Sequence, residues 1–490
     1  MRKFLYFLFI LTTTLAQAQV TVEWSNFPGG VAVATDSVNN SYTANWDYNP
    51  AGDITLTKRN TAGVILWEMA YDNTDVSRHE VATWVDTDNS GNILVSGTIR
   101  SGFSNPVNAA SVLMKFDASG ALLWRVVFDS LFDGSSTRKI LVDANNDVYV
   151  LGIGMSLGGQ LSRVKKISAS GSIVWDYFDS GIGAPLNFKF TPDNHILITH
   201  RGVSGSFNAY SKIDLSGNLS WSSAGINSYT TGDAAGDMNG NTYIINGEYV
   251  ITNAGSILSK LSPTGVLLWS QTITMLGNRV EVGTDNLPLV SGYPQAGYGA
   301  AFVKFDDSGN MLWQNLDADG PGIALLAQGY LILDESNAAY LAGSTMSEMG
   351  VCKVNPDGTS AWTASIPVGY PTCLALGTDN SVYVSGGTTA KLGQSGTTGI
   401  LNDNDAAETL AIYPNPVSDI ALISMDLEEA GNISLAIVDA LGRTIKSIPY
   451  KNLQSGNNTL RLDLSDLRSG TYFAEIRSNR GVFVKQLIKK

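Results

Sequence analysis

Three histidines, two cysteines and one short acidic ladder are the residues of this 490-residue chain whose types and spacing could do chemistry. His195 and His200 flank Ile-Leu-Ile-Thr in one expected strand. Residues five apart in a strand face opposite sides, so the pair is not placed to share a metal. His79 stands beside Glu80 in an expected loop, a pairing too common to define a site. Asp86, Asp88, Ser90 and Gly91 occupy the first, third, fifth and sixth places of a calcium loop, but the twelfth place, where Glu is required, is Gly97. Calcium stays open, and no other cofactor or metal ligand set is assigned. An oxidising compartment would permit a Cys352–Cys373 disulfide; two buried thiols are the favoured reading. No Gly-x-Ser-x-Gly elbow, His-Glu-x-x-His helix or phosphate loop occurs. No catalytic residue is assigned.

Around these residues the chain is built for many short strands. It holds 44% hydrophobic residues and 50 Gly but only 15% charged residues, well under the ~25% of an average soluble domain. Residues 1–18 form an expected secretory signal: Arg2 and Lys3, an apolar run from Phe4 to Leu15, then Ala16-Gln17-Ala18. The apolar run is too short to span a bilayer, and no later one reaches ~18 residues, so no membrane span is expected. The net charge is −13, and no basic stripe with interleaved aromatics occurs, which argues against nucleic acid. A monomer, secreted or held at the outer surface, is expected.

A repeat dominates. Lys is followed five residues later by Gly and nine later by Trp at Lys58/Gly63/Trp67, Lys115/Gly120/Trp124, Lys166/Gly171/Trp175, Lys212/Gly217/Trp221, Lys260/Gly265/Trp269, Lys304/Gly309/Trp313 and Lys353/Gly358/Trp362. An eighth copy, Lys391/Gly396, has Ile400 in place of Trp. Between them lie Asp-centred polar turns followed by alternating apolar residues, at Asp36, Asp86, Asp143, Asp193, Asp237, Asp285, Asp334 and Asp379. Two hairpin turns and four strand-like runs per repeat compose one propeller blade. The last repeat lacks its Trp strand, while Val20-Thr-Val-Glu-Trp24 stands alone at the front. An all-β, eight-bladed β-propeller over residues 19–400 is therefore expected, with the Trp24 strand completing the last blade. A seven-bladed ring, with Val31 to Trp67 left outside, is the alternative.

The segment Lys-Phe-Asp-Ala-Ser-Gly-Ala-Leu-Leu-Trp124 resembles the tryptophan-docked repeat of quinoprotein-type eight-bladed propellers. The resemblance implies that each Trp stacks on the neighbouring blade and each Gly permits the turn. The family's enzymes bind pyrroloquinoline quinone through an adjacent Cys-Cys pair and an acidic calcium site; neither is recognisable here, so only the architecture is carried over.

Residues 401–408 are small and polar and read as a linker before a second domain at 409–490, expected to be a small immunoglobulin-like β-sandwich. That domain contains Tyr413-Pro414-Asn415-Pro416, then Asp439-Ala-Leu-Gly442-Arg443, then Gly470-Thr-Tyr472 before a final basic strand with Lys485. This order resembles the type A C-terminal sorting domain of type IX secretion cargo in the Bacteroidetes. The resemblance implies export across the outer membrane, with the type IX machinery as partner, and then release or attachment at the cell surface.

Antiparallel blades put both regular turns at one end of the ring, so the variable connections share the opposite face. These carry Arg100, Phe103, Phe207, Tyr293 and Tyr298, the candidate ligand-binding residues. A non-enzymatic binding or scaffold module for a glycan or surface protein is the expected function. An extracellular polysaccharide hydrolase or lyase using carboxylates on that face is the alternative.

Overall fold

A computed structural model describes residues 20–490 except 47–52, 72–78, 101–109, 129–135, 157–158, 180–182, 202–206, 224–225, 228–231, 249–254, 295–298, 319–325, 345–347, 368, 395–410, 414, 428–430, 440–443, 455 and 479–480. The expected signal, the linker, Phe103, Tyr298, Pro414, Gly442 and Arg443 lie outside the described residues. The chain divides into two compact units, Val20–Gln394 and a C-terminal one from Ser395. Among the described residues there is no helix, and none therefore long and apolar enough to cross a membrane.

The first unit is a closed ring of eight antiparallel sheets, numbered here as blades 1 to 8. Their inner strands are Ala32–Thr35, His79–Thr87, Ser136–Val142, Pro185–Thr191, Asp233–Gly236, Met275–Val282, Leu326–Leu333 and Cys373–Leu376. Each inner strand contacts the next, and the eighth contacts the first, so the circle has no gap. Val31 to Trp67 forms a full blade, which excludes the seven-bladed alternative. His79 opens an inner strand; in place of the expected loop it is already paired, opposite Arg100 of the hairpin partner.

Closure comes from the N-terminal strand. Val20–Asn26 pairs antiparallel with Thr389–Gln394 of blade 8, placing Trp24 opposite Lys391. The same Lys–Trp pairing recurs in every other blade, from Lys58 opposite Trp67 to Lys353 opposite Trp362. Trp24 is thus the eighth tryptophan that Ile400 failed to supply.

One seam is repeated around the ring. The Trp24 Nε1–H donates to the Thr61 carbonyl of blade 1 at 3.0 Å, and Trp124 does the same to Ala169 and Trp313 to Pro356, each at 3.0 Å. Trp67, Trp175 and Trp269 dock on Ala118, Leu215 and Asp307. Trp221 packs on Gly265 without such a bond. At Gly358 the backbone has φ +87°, and a Cβ there would come within 2.6 Å of the Trp313 ring. Glycine is required at that turn both for the left-handed conformation and for the approach of the indole.

The paired lysine adds to the seam in several blades, with Lys58, Lys115, Lys212 and Lys260 each reaching a backbone carbonyl of the next blade. Lys115 bonds Asp88 at 2.7 Å and the Ala169 carbonyl of the next blade at 3.3 Å; Lys212 bonds Asp193 at 2.7 Å and Gly240 O at 2.8 Å. In five blades a buried Tyr stands beside this lysine, with Lys353 4.9 Å from the Tyr340 ring. The Tyr42, Tyr149 and Tyr340 hydroxyls each donate to the turn aspartate of their own blade.

The turn aspartates work by hydrogen bonding to the backbone. Asp88 Oδ1 accepts from the Ser90 and Asn92 N–H groups at 2.9 and 2.8 Å, as Asp143 and Asp334 do in their turns. The hairpin of blade 2 opens at Asp88 and not at Asp86, and those of blades 4, 6 and 8 open at Thr191, Gly283 and Gly377, two residues before the aspartates singled out from the repeat. Hairpin register decides between neighbouring polar residues that composition alone leaves equivalent.

In the second unit, Ala411–Tyr413, Ile420–Leu427 and Gly456–Asp463 form one sheet. Thr444–Leu453, Gly431–Asp439, Gly470–Ser478 and Gly481–Lys489 form another. Val417, Ile423 and Leu462 share a buried cluster with Leu435, Ile437, Ala474 and Leu487. The sequence motifs meet here. Asp439 pairs with Tyr472, the Tyr472 hydroxyl donates to Arg468 O at 3.0 Å, and Lys485 pairs with Ala474. Asn415 Oδ1 accepts the Ile488 N–H at 2.8 Å, while Val417 exchanges backbone bonds with Ile488 and Lys490.

A half-buried indole contributes about 2 kcal/mol through the area that it covers. Trp24→Ala and Trp67→Ala are therefore expected to lower unfolding stability by comparable amounts, about 2 kcal/mol each, in denaturant titrations. A silent Trp24→Ala beside a damaging Trp67→Ala would place the N-terminal strand outside the ring.

Candidate functional site: the mouth of the central channel

The inner strands run from the variable-loop face towards the regular turns. Counted back from the residue that opens each hairpin turn, the fourth position is Ala32, Trp84, Lys139, Asn187, Asp233, Arg279, Tyr330 and Cys373 in blades 1 to 8. In blades 1, 5 and 8 this is the first residue of the strand, so the layer lies where the channel opens on the variable face. Five of the eight positions directly follow a register shift in the inner strand, at Trp84, Lys139, Asn187, Arg279 and Tyr330. A bulge re-aims the side chain that follows it, and bulges concentrate beside functional sites. The re-aimed residues are here two aromatics, two cations and an amide; Ala32, Asp233 and Cys373 follow no shift.

A second layer lies two residues deeper, with Asp86, Lys189 and Glu281 among small or apolar neighbours. Lys189 ties the layers together. Its Nζ lies 2.6 Å from Asp233 Oδ2, 2.7 Å from Glu281 Oε1 and 2.9 Å from the Val280 carbonyl, reaching from blade 4 to blades 5 and 6. Asn187 Nδ2 donates to Asp233 Oδ1 at 3.2 Å and the Val280 N–H to Asp233 Oδ2 at 3.2 Å. Burial would raise the Asp233 carboxyl, but Lys189 and Arg279 hold it below its ordinary value. Glu281 shares the same lysine and is pushed up, by burial first.

Lys139 sits differently. Its Nζ donates to Asn187 Oδ1 at 3.1 Å and Phe188 O at 3.2 Å and stands 5.5 Å from the centre of the Trp84 ring. Burial and the like charge of Lys189 lower its pKa. Asp86, within electrostatic reach of Lys139, is pushed up to about 6 by burial, against the Thr87 N–H bond and the lysine. The two aspartates of the acidic ladder separate: Asp86 belongs to the channel and Asp88 to the turn and Lys115. Burial raises the Tyr330 phenol to about 12 and the Cys373 thiol to about 11. Both cysteines are free and buried, in neighbouring blades.

Of the residues expected to bind ligand, Arg100 ends the strand Ile93–Arg100 and Phe207 begins Phe207–Asp214, both at the variable-loop end. Tyr293, half-buried in Pro288–Pro294, has its phenol raised by burial, with Arg279 acting against the rise. These three occupy blades 2, 4 and 6, and Tyr293 is linked to the mouth through Arg279. The histidines stay apart. His195 faces Asp193, while His200 is buried between Ser162 and Ser211.

Residues 411–490 match the family model of the secretion system C-terminal sorting domain. The tail is a type IX sorting domain. Export by the type IX system follows for the chain that carries this sorting tail. None of the curated proteins compared with the chain matches it. Among solved structures, the chain is similar to the Dos1 propeller, with 12% identity, 78% of this chain and 96% of that one covered, and a TM-score of 0.50. The C-terminal WD40 domain of Sif2 gives 10% identity, 78% and 99% coverage and a TM-score of 0.50. Sqt1 from Chaetomium thermophilum gives 10%, 75% and 96%, and 0.50. At such identities the likeness shows the propeller fold alone.

Because its folded pKa is raised, Asp86 opposes folding when ionised, and the penalty is relieved as pH falls through about 6 towards the ordinary value of 3.8. Asp86→Asn is expected to be more stable than wild type at pH 7 and to lose that advantage by about pH 4, read from paired denaturant titrations. An advantage independent of pH would show that the carboxylate is not held in the channel as described.

Proposed function

We propose that the protein is a secreted or surface-displayed, non-enzymatic propeller that binds glycans at the channel mouth on its variable-loop face. The observation that carries this reading is the set of five bulge-directed side chains converging there. Trp84, whose ring also carries Lys139, and Tyr330 supply aromatic surface for the apolar side of a sugar, and the donors of Lys139, Asn187 and Arg279 match its hydroxyls. Among the described residues no hydrogen bond engages the Trp84 indole N–H or the Tyr330 hydroxyl, and both side chains are partly buried. The sorting tail supports a ligand met outside the cell.

The full chain is to be incubated with soluble and insoluble polysaccharides, scoring its depletion and the reducing ends released. Depletion without product is expected, weakened about tenfold by Trp84→Ala and less by Tyr293→Ala. Released product would make the protein an enzyme; binding lost only through changes on the regular-turn face would move the site.

A further inference from the structure

We propose that the glycan taken at the channel mouth is acidic, and that Lys139 and Arg279 receive its carboxylate or sulfate group. This rests on the reading of the mouth as a glycan site. The blade lysines provide the contrast. From Lys115 with Asp88 to Lys391 with Glu23, each lysine of the repeat from blade 2 onward has a carboxylate within ion-pair distance. In the channel Lys189 holds two, Asp233 and Glu281.

Lys139 and Arg279 have none among the described residues. The bonds of Lys139 go to neutral oxygens, and Arg279 uses Nη1 on the Asn278 carbonyl at 2.9 Å, leaving the rest of its guanidinium fork. Both side chains are partly open to solvent and follow bulges that direct them into the mouth. A guanidinium fork matches the geometry of a carboxylate or sulfate, and a desolvated ammonium adds a point charge.

The rest of the molecule makes the pair selective. The chain carries a net charge of −13, so its general surface repels polyanions, and attraction must be local. Asp86 and Glu281, two residues deeper than the mouth layer, set the floor of the site: an anion that went further would meet their carboxylates, while Asp233 in the mouth layer itself is paired with Lys189. An acidic group is thus attracted at the rim and stopped there.

The test uses the full chain and three probes of one size, galactotriose, trigalacturonate and a sulfated galactotriose, titrated calorimetrically at low ionic strength. Wild type is expected to bind an acidic probe at least about tenfold tighter than the neutral one, a charge-assisted bond being the difference. The sulfated and carboxylated arms decide which group is preferred. Lys139→Met and Arg279→Met should each remove most of that preference, the affinity for the acidic probes falling several-fold further than the affinity for galactotriose. Arg279→Lys should restore part of it, which a loss of folding would not allow. Lys165→Gln, which changes an outer lysine paired with Asp176, should change nothing. Equal affinity for the neutral and acidic probes, unchanged by Lys139→Met, would overturn the acidic ligand and leave the glycan site standing. Failure of wild type to bind any polysaccharide in the panel would overturn both.

Discussion

The seam between blades is the interaction on which the rest of the ring depends. It consists of one indole on one glycine turn, and at Lys58, Lys115 and Lys260 the lysine of the partner strand reaches the same turn. Each contact is modest by itself, about 2 kcal/mol of covered area and one or two hydrogen bonds of about 1 kcal/mol. A ring converts modest contacts into a cooperative structure, because loosening one seam frees a blade edge on both sides. Regularity at the seams also fixes the inner strands at constant spacing around the axis. Only with that spacing do side chains from eight different repeats meet at one mouth.

The ring and the mouth obey opposite rules. Seam residues repeat: Lys, Gly and Trp recur because every blade faces the same packing problem. Mouth residues do not repeat, since Trp84, Lys139, Asn187, Asp233, Arg279 and Tyr330 occupy one structural position with six different chemistries. Uniform scaffolding with varied occupants is how a repeat fold carries a specific surface.

This contrast explains how much could be read from the amino acids. Lys-to-Trp spacing was periodic, so blade number, the docking tryptophans and even the role of Trp24 were legible, the last because one repeat lacked a residue that the front of the chain supplied. Tyr413 to Pro416 and Gly470 to Tyr472 were legible in the tail for the same reason, a fixed order of motifs. Asp86 was misjudged as a turn residue because the segment Asp86-Thr-Asp88 offers two aspartates, and only hairpin register separates them. The mouth was invisible because bulges shift Lys139 and Arg279 out of simple alternation, and because no two of its residues are alike. Aligning the repeats on the residue that opens each turn, instead of on Asp, would have put the ring of six in one column.

Closing the circle with the first strand has a consequence for how the molecule comes into being. The Ser25 and Thr388 hydroxyls that meet in the finished blade are 363 positions apart, so the decisive pairing is among the most non-local that the chain makes. Contacts of such separation form late and slowly. Until the segment around Thr389–Gln394 is available, Val20–Asn26 has no edge to join, and what precedes closure is an open arc of blades. Synthesis from the N-terminus therefore passes through an arc with its first strand waiting, and the ring closes only after almost the whole propeller has been made.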